Sequence, residues 1–337
     1  MPHDHSEHEQ TPEQLEVQFE QLSLLESKFE DAEAEVIRKA DAIKAPLYKE
    51  RTEFVAKVPH FWSLVFEQCP QEVENFIQPT DSEVFAECLE SLEVTRFEVD
   101  DQPRSFSLKF GFSENEWFSD KTLEKKFWYR HTKDWDGLVS EPVKINWKKG
   151  KDLTGGLTDA AVKLHEARKN ITDRKKEMAL PEYKDLSNKI ETSADASVSF
   201  FGLFAFVSGY RWVSAEESAE ARKKDQEQLA KLKAGEKIEE DDEEDEDEDP
   251  QDYQETEVFP GGDEVATIIA EDMWPNALGY YKAHFEMDGE FDDEDLSELD
   301  VDMDEDEDDS AEEVDIRALV GKGKKGEEPP SKKQRKA

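Results

Sequence analysis

Apolar side chains return every seven residues near the start of the chain, at Leu15, Leu22, Phe29, Val36 and Ile43, and Phe19, Leu25, Ala32, Ala40 and Leu47 widen the same stripe. No glycine interrupts residues 11–56, so the spacing predicts one long amphipathic helix over 11–57. Thr11 suits the N-cap and Pro12 the first helical position, with Glu13 and Glu16 near the positive end of the helix dipole. At ~1.5 Å per residue such a helix runs for roughly 65–70 Å, farther than a domain of this size is wide, so it projects beyond its own globule. A seven-residue repeat held that long expects a partner helix, and the simplest partner is the same helix of a second copy. Leu15, Leu22, Phe29, Val36 and Ile43 are therefore the expected dimerisation residues of a coiled-coil homodimer. Pro46 lies inside the pattern and is expected to kink the helix or remove one backbone bond.

Beyond residue 57 the period shortens and then changes. Leu64, Val65, Phe66, Val73, Phe76 and Ile77 suit short helices, and Asp81 reads as the N-cap of another that carries Val84, Phe85 and Cys88. In residues 104–112 (RSFSLKFGF) Phe106, Leu108, Phe110 and Phe112 alternate with Ser105, Ser107, Lys109 and Gly111, the pattern of a half-buried strand. Residues 92–99, 123–131 and 142–147 are its expected neighbours, and Asp100, Asp101, Gln102 and Pro103 make a hairpin connection, so the sheet is expected to be antiparallel. With helices to cover one face, the fold class is α+β. Residues 159–188 read as an exposed helical stretch, with Arg174, Lys175 and Lys176 on a solvated face. A helix is expected over 215–233, and a last one places Val265, Ile268, Ile269 and Met273 on one face until Pro275, after Trp274, ends it.

Composition divides the chain further. Its 337 residues carry 86 acidic and 43 basic side chains, a formal net charge of −43, and hydrophobic residues are 36%. That is lean for a globular chain, yet 20 Phe, 7 Trp and 7 Tyr are too many for a disordered one. Residues 239–249 are an unbroken acidic run, and 286–313 hold eighteen acids without a Lys or Arg; together they contain 29 of the 86 carboxylates. Such blocks repel themselves and bury no apolar surface. The expected organisation is a disordered N-terminus (1–10), the dimerisation helix (11–57), an α+β domain (58–285) with a helical insertion (155–198) and an acidic insertion (234–257), a disordered acidic tail (286–320) and a basic end (321–337).

Phosphate and anionic-membrane binding draw on Lys and Arg, so direct DNA contact and a membrane surface are disfavoured as partners. The longest apolar run, 200–207 (FFGLFAFV), is far short of the ~20 residues of a membrane span, and the first ten residues lack the features of a secretory signal. Cys69 and Cys88, without a metal-like spacing, read as buried thiols of a reducing compartment. No nucleotide loop, HExxH or GxSxG is present, so neither an enzyme nor a cofactor is expected. His3, His5 and His8 read as incidental, and Asp300, Asp302 and Asp304 lack the glycine and closing Glu of a calcium loop, so no metal site is expected. The terminal PPSKKQRKA, with Lys332, Lys333, Arg335 and Lys336, has the make-up of a nuclear import signal, which implies importin as a partner and a nucleus–cytoplasm shuttle.

Several segments together resemble the nucleosome assembly protein family, in particular its SET-type branch, also called template-activating factor I. They are KAPLYKERTEFVAKVPHFW (44–62), EVTRFE (93–98), FSENEWFSDKTLEKKF (112–127), INWKKGKDLT (145–154), SFF (199–201) and EDMWPNALGYY (271–281). The resemblance implies a histone chaperone: a dimer joined by antiparallel long helices, each protomer carrying an earmuff-shaped α+β domain whose concave side faces basic histones. It places the histone-facing residues at Asp263, Glu264, Glu271, Asp272 and Trp274. Core histones are the implied partners, with linker histone and chromatin-modifying enzymes as further ones, DNA being reached through histones. Assembly without ATP is the implied activity. The rival readings are a phosphatase-2A inhibitor, as in animal members of that branch, and a nonspecific acidic buffer for basic proteins.

Overall fold

The computed structural model of the chain describes residues 12–133, 135–171, 174–193, 199–208, 213–234 and 250–287. The acidic runs at 239–249 and 288–313, the basic end and the N-terminal histidines lie outside them. Helix α1 runs Pro12–Val55 and continues through Pro46. Proline removes one N–H from the ladder, and the helix absorbs that loss without ending. It stops at Val55, buried against the body, where Lys57 and Val58 donate back to Phe54 and Val55 in a tightened last turn. His60, with φ of 57°, turns the chain into α2 (Phe61–Glu67), followed by α3 (Gln71–Glu74) and α4 (Pro79–Cys88). Asp81 sits in the first turn of α4, not at the N-cap as expected; Gln78 holds that place, and its N–H donates to the Asp81 carboxylate at 2.9 Å. Pro79 explains the shift, since its fixed φ and missing N–H suit the first helical position.

The sheet has the order β1 (Leu89–Thr95), β2 (Phe106–Phe112), β3 (Thr122–His131) and β4 (Asp136–Ser140), every pair antiparallel. β1 starts earlier than the hydrophobic pattern suggests because a bulge between Leu89 and Ser91 extends the pairing. At that bulge a Cβ on Gly111 would meet Ser91 Oγ at 2.2 Å, so a larger residue there needs the serine hydroxyl to turn away. Residues 142–147, expected as a strand, are not one. β4 lies upstream, and the 142–147 stretch contributes a single bridge between Trp147 and Phe118 while Val143 N–H donates to Phe204 O. Pro142 cannot donate to a ladder, which favours leaving the sheet at that point.

The inner face of the sheet carries Leu92, Leu108, Phe110, Leu123 and Phe127, all buried, and α2, α4 and the 3₁₀ turn Phe200–Phe204 close over it. Rings interlock there: Phe85 meets Phe66 at 4.8 Å and Phe200 at 5.1 Å, and Phe118 meets Phe112 at 5.0 Å and Phe201 at 5.6 Å between centroids. Asp81, fully buried, fixes the turn by accepting from Ser199 Oγ (2.6 Å) and Phe200 N–H (2.8 Å). Burial pushes its carboxyl up despite these bonds.

Helices α5 (Leu157–Arg168) and α6 (Pro181–Thr192) correct the expectation of an exposed stretch. Leu157, Ala160, Ala161 and Leu164 bury one face of α5 against Tyr183, Leu186, Ala205, Phe206 and Val258, a second small core. The apolar residues at 157, 160, 161 and 164 have helical spacing that the surrounding charge obscures. Lys125 of β3 reaches between the cores, fully buried, donating to Glu141 O and Ala205 O at 2.7 Å each. Helix α7 (Ala215–Ala234) follows, and a 3₁₀ turn, Pro250–Thr256, re-enters the fold within the stretch expected as acidic insertion. Then α8 (Gly262–Ile268) widens into a π-turn (Ile269–Met273) and, after Pro275, resumes as α9 (Ala277–Met287). The widening keeps Val265, Ile269 and Met273 inward while Ile268 drifts to partial exposure, a departure from the single α-helical face expected.

Candidate functional site

The stripe on α1 is bare. Phe19, Leu22, Phe29, Val36 and Ile43 are 66, 57, 62, 65 and 71% exposed, and Leu25, Leu47 and Phe54 join them; the side chain of Leu15 lies outside the described residues. α1 is also tied to the body by polar contacts that the hydrophobic pattern could not reveal. Arg104 pairs with Glu33 at 2.7 Å, and Arg38 Nε donates to Val99 O at 3.1 Å. Arg51 Nη1 donates to Trp274 O at 2.5 Å. Between α1 and the sheet lies a cleft of about 520 Å³ whose walls include Phe29, Val36, Phe106, Tyr129, Leu138 and Glu271. The apolar surface of α1 is thus continuous with an apolar recess of the body.

The acidic residues singled out in the sequence share one structural unit, α8 and its π-turn. Asp263 and Glu264 stand in the first turn of α8, which Gly261 (φ 74°) opens. Burial raises the Asp263 carboxyl above its ordinary pKa, whereas Glu264 is exposed. At the other end Glu271 is exposed and pairs with Arg96 at 3.1 Å. Asp272 is held inward, accepting from Asn276 Nδ2 (2.8 Å) and Tyr280 OH (2.5 Å), and burial beside that carboxylate raises the Tyr280 phenol.

Trp274 differs from the expectation of a surface contact: it is 3% exposed. Its ring stacks on Trp62 (5.5 Å, 7°), tilts against Tyr48 at 5.4 Å, and receives the Arg51 guanidinium 4.1 Å from its centroid. The same guanidinium donates to the Trp274 carbonyl, just before Pro275. Trp274 therefore fastens α1 to the end of the π-turn and positions Glu271 and Asp272 beside it. The signal for Arg51 was weak but present, an arginine four residues from the buried end of α1.

Among the described residues no group of three or more His, Cys, Asp and Glu could hold a metal ion, and no helix is long and apolar enough to cross a membrane. Cys69 and Cys88 are free thiols, each pushed up to about 12, by burial first and neighbouring glutamates second. Lys332, Lys333, Arg335 and Lys336 lie outside the described residues.

The molecule is thus an α+β protein whose long helix presents an uncovered apolar stripe beside an acid-bearing helical unit. It belongs to the nucleosome assembly protein (NAP) family, whose sequence profile matches residues 6–284. A Schizosaccharomyces pombe protein whose name assigns it to nucleosome assembly is 34% identical over 146 residues, 40% of this chain and 59% of that protein. Protein SET of Drosophila melanogaster is 31% identical over 146 residues, 42% of this chain and 52% of its own. These matches span a little over half the length of either relative. Among solved structures, a Ccp1 mutant aligns with a TM-score of 0.49 at 22% identity, covering 81% of this chain and 98% of that one.

Proposed function

We propose that the chain is a histone chaperone that works as a homodimer joined along α1, binds basic histones on its acidic surface and promotes nucleosome assembly without ATP. What supports this is the family match over residues 6–284 on a chain of net charge −43. Histones are cationic, and one exposed ion pair contributes only ~0–1 kcal/mol, so competing with DNA takes many carboxylates acting together. Dimerisation doubles them around one surface and raises their effective concentration. In this reading Asp263, Glu264, Glu271 and Asp272 supply the folded contact, Trp274 supports it from inside, and the acidic runs screen charge and speed exchange. The basic end at Lys332, Lys333, Arg335 and Lys336 serves import to the nucleus.

The test mixes the full chain with core histones and plasmid DNA at physiological salt without nucleotide. Prevention of histone–DNA precipitation, deposition of histones as supercoils, and preference for histones over polylysine of equal charge are expected. Equal binding of histones and polylysine would reduce the protein to an acidic buffer. Deleting 286–313 is expected to weaken histone binding modestly.

A further inference from the structure

His131, the last residue of β3, is bonded at both ring nitrogens to carboxylates from different elements: Nδ1 to Asp136, its cross-strand neighbour on β4, and Nε2 to Asp225 on α7. Its main-chain N–H donates to the hydroxyl of Ser218, fully buried on the same face of α7, at 2.9 Å. A carboxylate accepts and does not donate, and a neutral imidazole has one donor nitrogen, so satisfying both acids takes the doubly protonated ring. The rest of the docked face of α7 is sparing in apolar contact. Ser218 is its buried residue, and Arg222 adds a long pair to Asp101 at 3.8 Å. With so little apolar area covered, the charge on one ring weighs heavily in whether the helix stays docked.

We propose that His131 is a proton-operated latch that docks α7 against the β3–β4 edge, and that α7 separates from this edge as pH rises. In the sequence, the acidic run at 239–249 begins five residues after α7 ends.

Among the described residues, the surroundings make the ring proton hard to lose. α1 brings Glu30, whose own carboxyl is raised by burial and then by Asp136, and Glu33, engaged by Arg104. Arg104 also donates to Tyr129 of β3 at 3.1 Å, and Arg130 is turned to Glu98 at 3.3 Å. α7 brings Asp225 and Arg222, and β4 brings Asp136. Burial disfavours the charged ring, but the hydrogen bonds and charges of Asp136 and Asp225 more than offset it, and the His131 pKa is raised above its ordinary 6.5. A base whose pKa is raised on docking stabilises the docked state fully below the undocked value and loses that contribution as pH rises through the docked one. Above it, Asp136 and Asp225 face each other across a neutral ring with Glu30 nearby.

The test uses the full chain. Imidazole ¹⁵N shifts read the protonation of His131, and amide-exchange protection factors, corrected for intrinsic rates, read the docking of α7 from pH 6 to 9. The expected result is a doubly protonated ring persisting above pH 6.5, with α7 protection falling roughly tenfold for each unit by which the pKa is raised, while β2 and β3 stay protected. His131→Gln should give α7 low protection at every pH. Asp225→Asn, which keeps the histidine, should lower its pKa and flatten the slope. Ser218→Ala should lower protection by the same factor at all pH values. A ring that loses its proton at or below the ordinary value, or α7 protection independent of pH in the unsubstituted protein, would overturn the latch.

Discussion

The chain places phenylalanine in two settings with opposite outcomes. Phe85, Phe110, Phe200 and Phe201 interlock under the sheet, each at most 3% exposed, while Phe19, Phe29 and Phe54 stand on α1 at 62–66% exposure. Residue type does not distinguish the two groups; geometry does. The sheet, α2, α4 and the 200–204 turn supply each other's covers within one protomer. A helix of 44 residues cannot fold back on itself, and α1 is attached to the body through Glu33, Arg38 and Arg51. The body can therefore complete its core alone, whereas the stripe on α1 stays uncovered within one protomer.

That contrast breaks most visibly at the stripe. Leu22→Glu with Phe29→Glu removes two apolar contacts of ~1.5–3 kcal/mol each and is expected to raise the dimer dissociation constant by roughly 100-fold or more. Sedimentation at micromolar concentration should then give monomers whose far-ultraviolet dichroism still reports a folded body. A dimer unchanged in mass would mean that the stripe serves something else. Phe200→Ala attacks the other side of the comparison. It empties the junction of Phe66, Phe85 and Phe110 and should lower unfolding free energy by about 3–5 kcal/mol in denaturant titration, with the oligomeric state kept at concentrations where the body stays folded.

How much of this was legible in sequence follows the same division. The α1 stripe and the alternation at Phe106, Leu108, Phe110 and Phe112 were readable because one period persisted over the whole element. The second core was not, because Leu157, Ala160, Ala161 and Leu164 are embedded in charge and find their cover in Tyr183 and Phe206, far along the chain. Nor could Trp274 be assigned to the interior, since its neighbours Trp62 and Arg51 lie more than two hundred residues away. Of the candidate site, the acidic positions came from the resemblance of motifs, and Arg96, which pairs with Glu271, carried no periodic signal.

His165 sharpens the point about that hidden core. It is 6% exposed, and burial, followed by the charges of Arg168, Lys169 and Lys125, pulls it down to about 4. The folded state refuses a proton that the unfolded chain accepts below about pH 6.5, so this contribution is present above 6.5 and is lost as pH falls toward 4. The largest loss is about 3 kcal/mol. Denaturant unfolding of the unsubstituted protein and His165→Gln at pH 7 and pH 5 isolates it: the difference in stability between the two proteins should change with pH, and a constant difference would show the histidine to be solvated.

The smallest expected effect falls on the acidic surface itself. Glu271 is half exposed and pairs with Arg96, which keeps a second bond to Pro103 O at 2.6 Å when the glutamate is removed. Glu271→Ala should therefore change stability by less than about 1 kcal/mol. If the acidic surface acts as a summed field, histone affinity should fall only about two- to threefold, mostly through slower association, and the difference should shrink as salt shortens the screening length. A loss above about 100-fold that persists at high salt would mean something different: a desolvated, specific contact at Glu271, with the apolar cleft bordered by Phe29 and Val36 forming part of the histone pocket instead of the dimer surface.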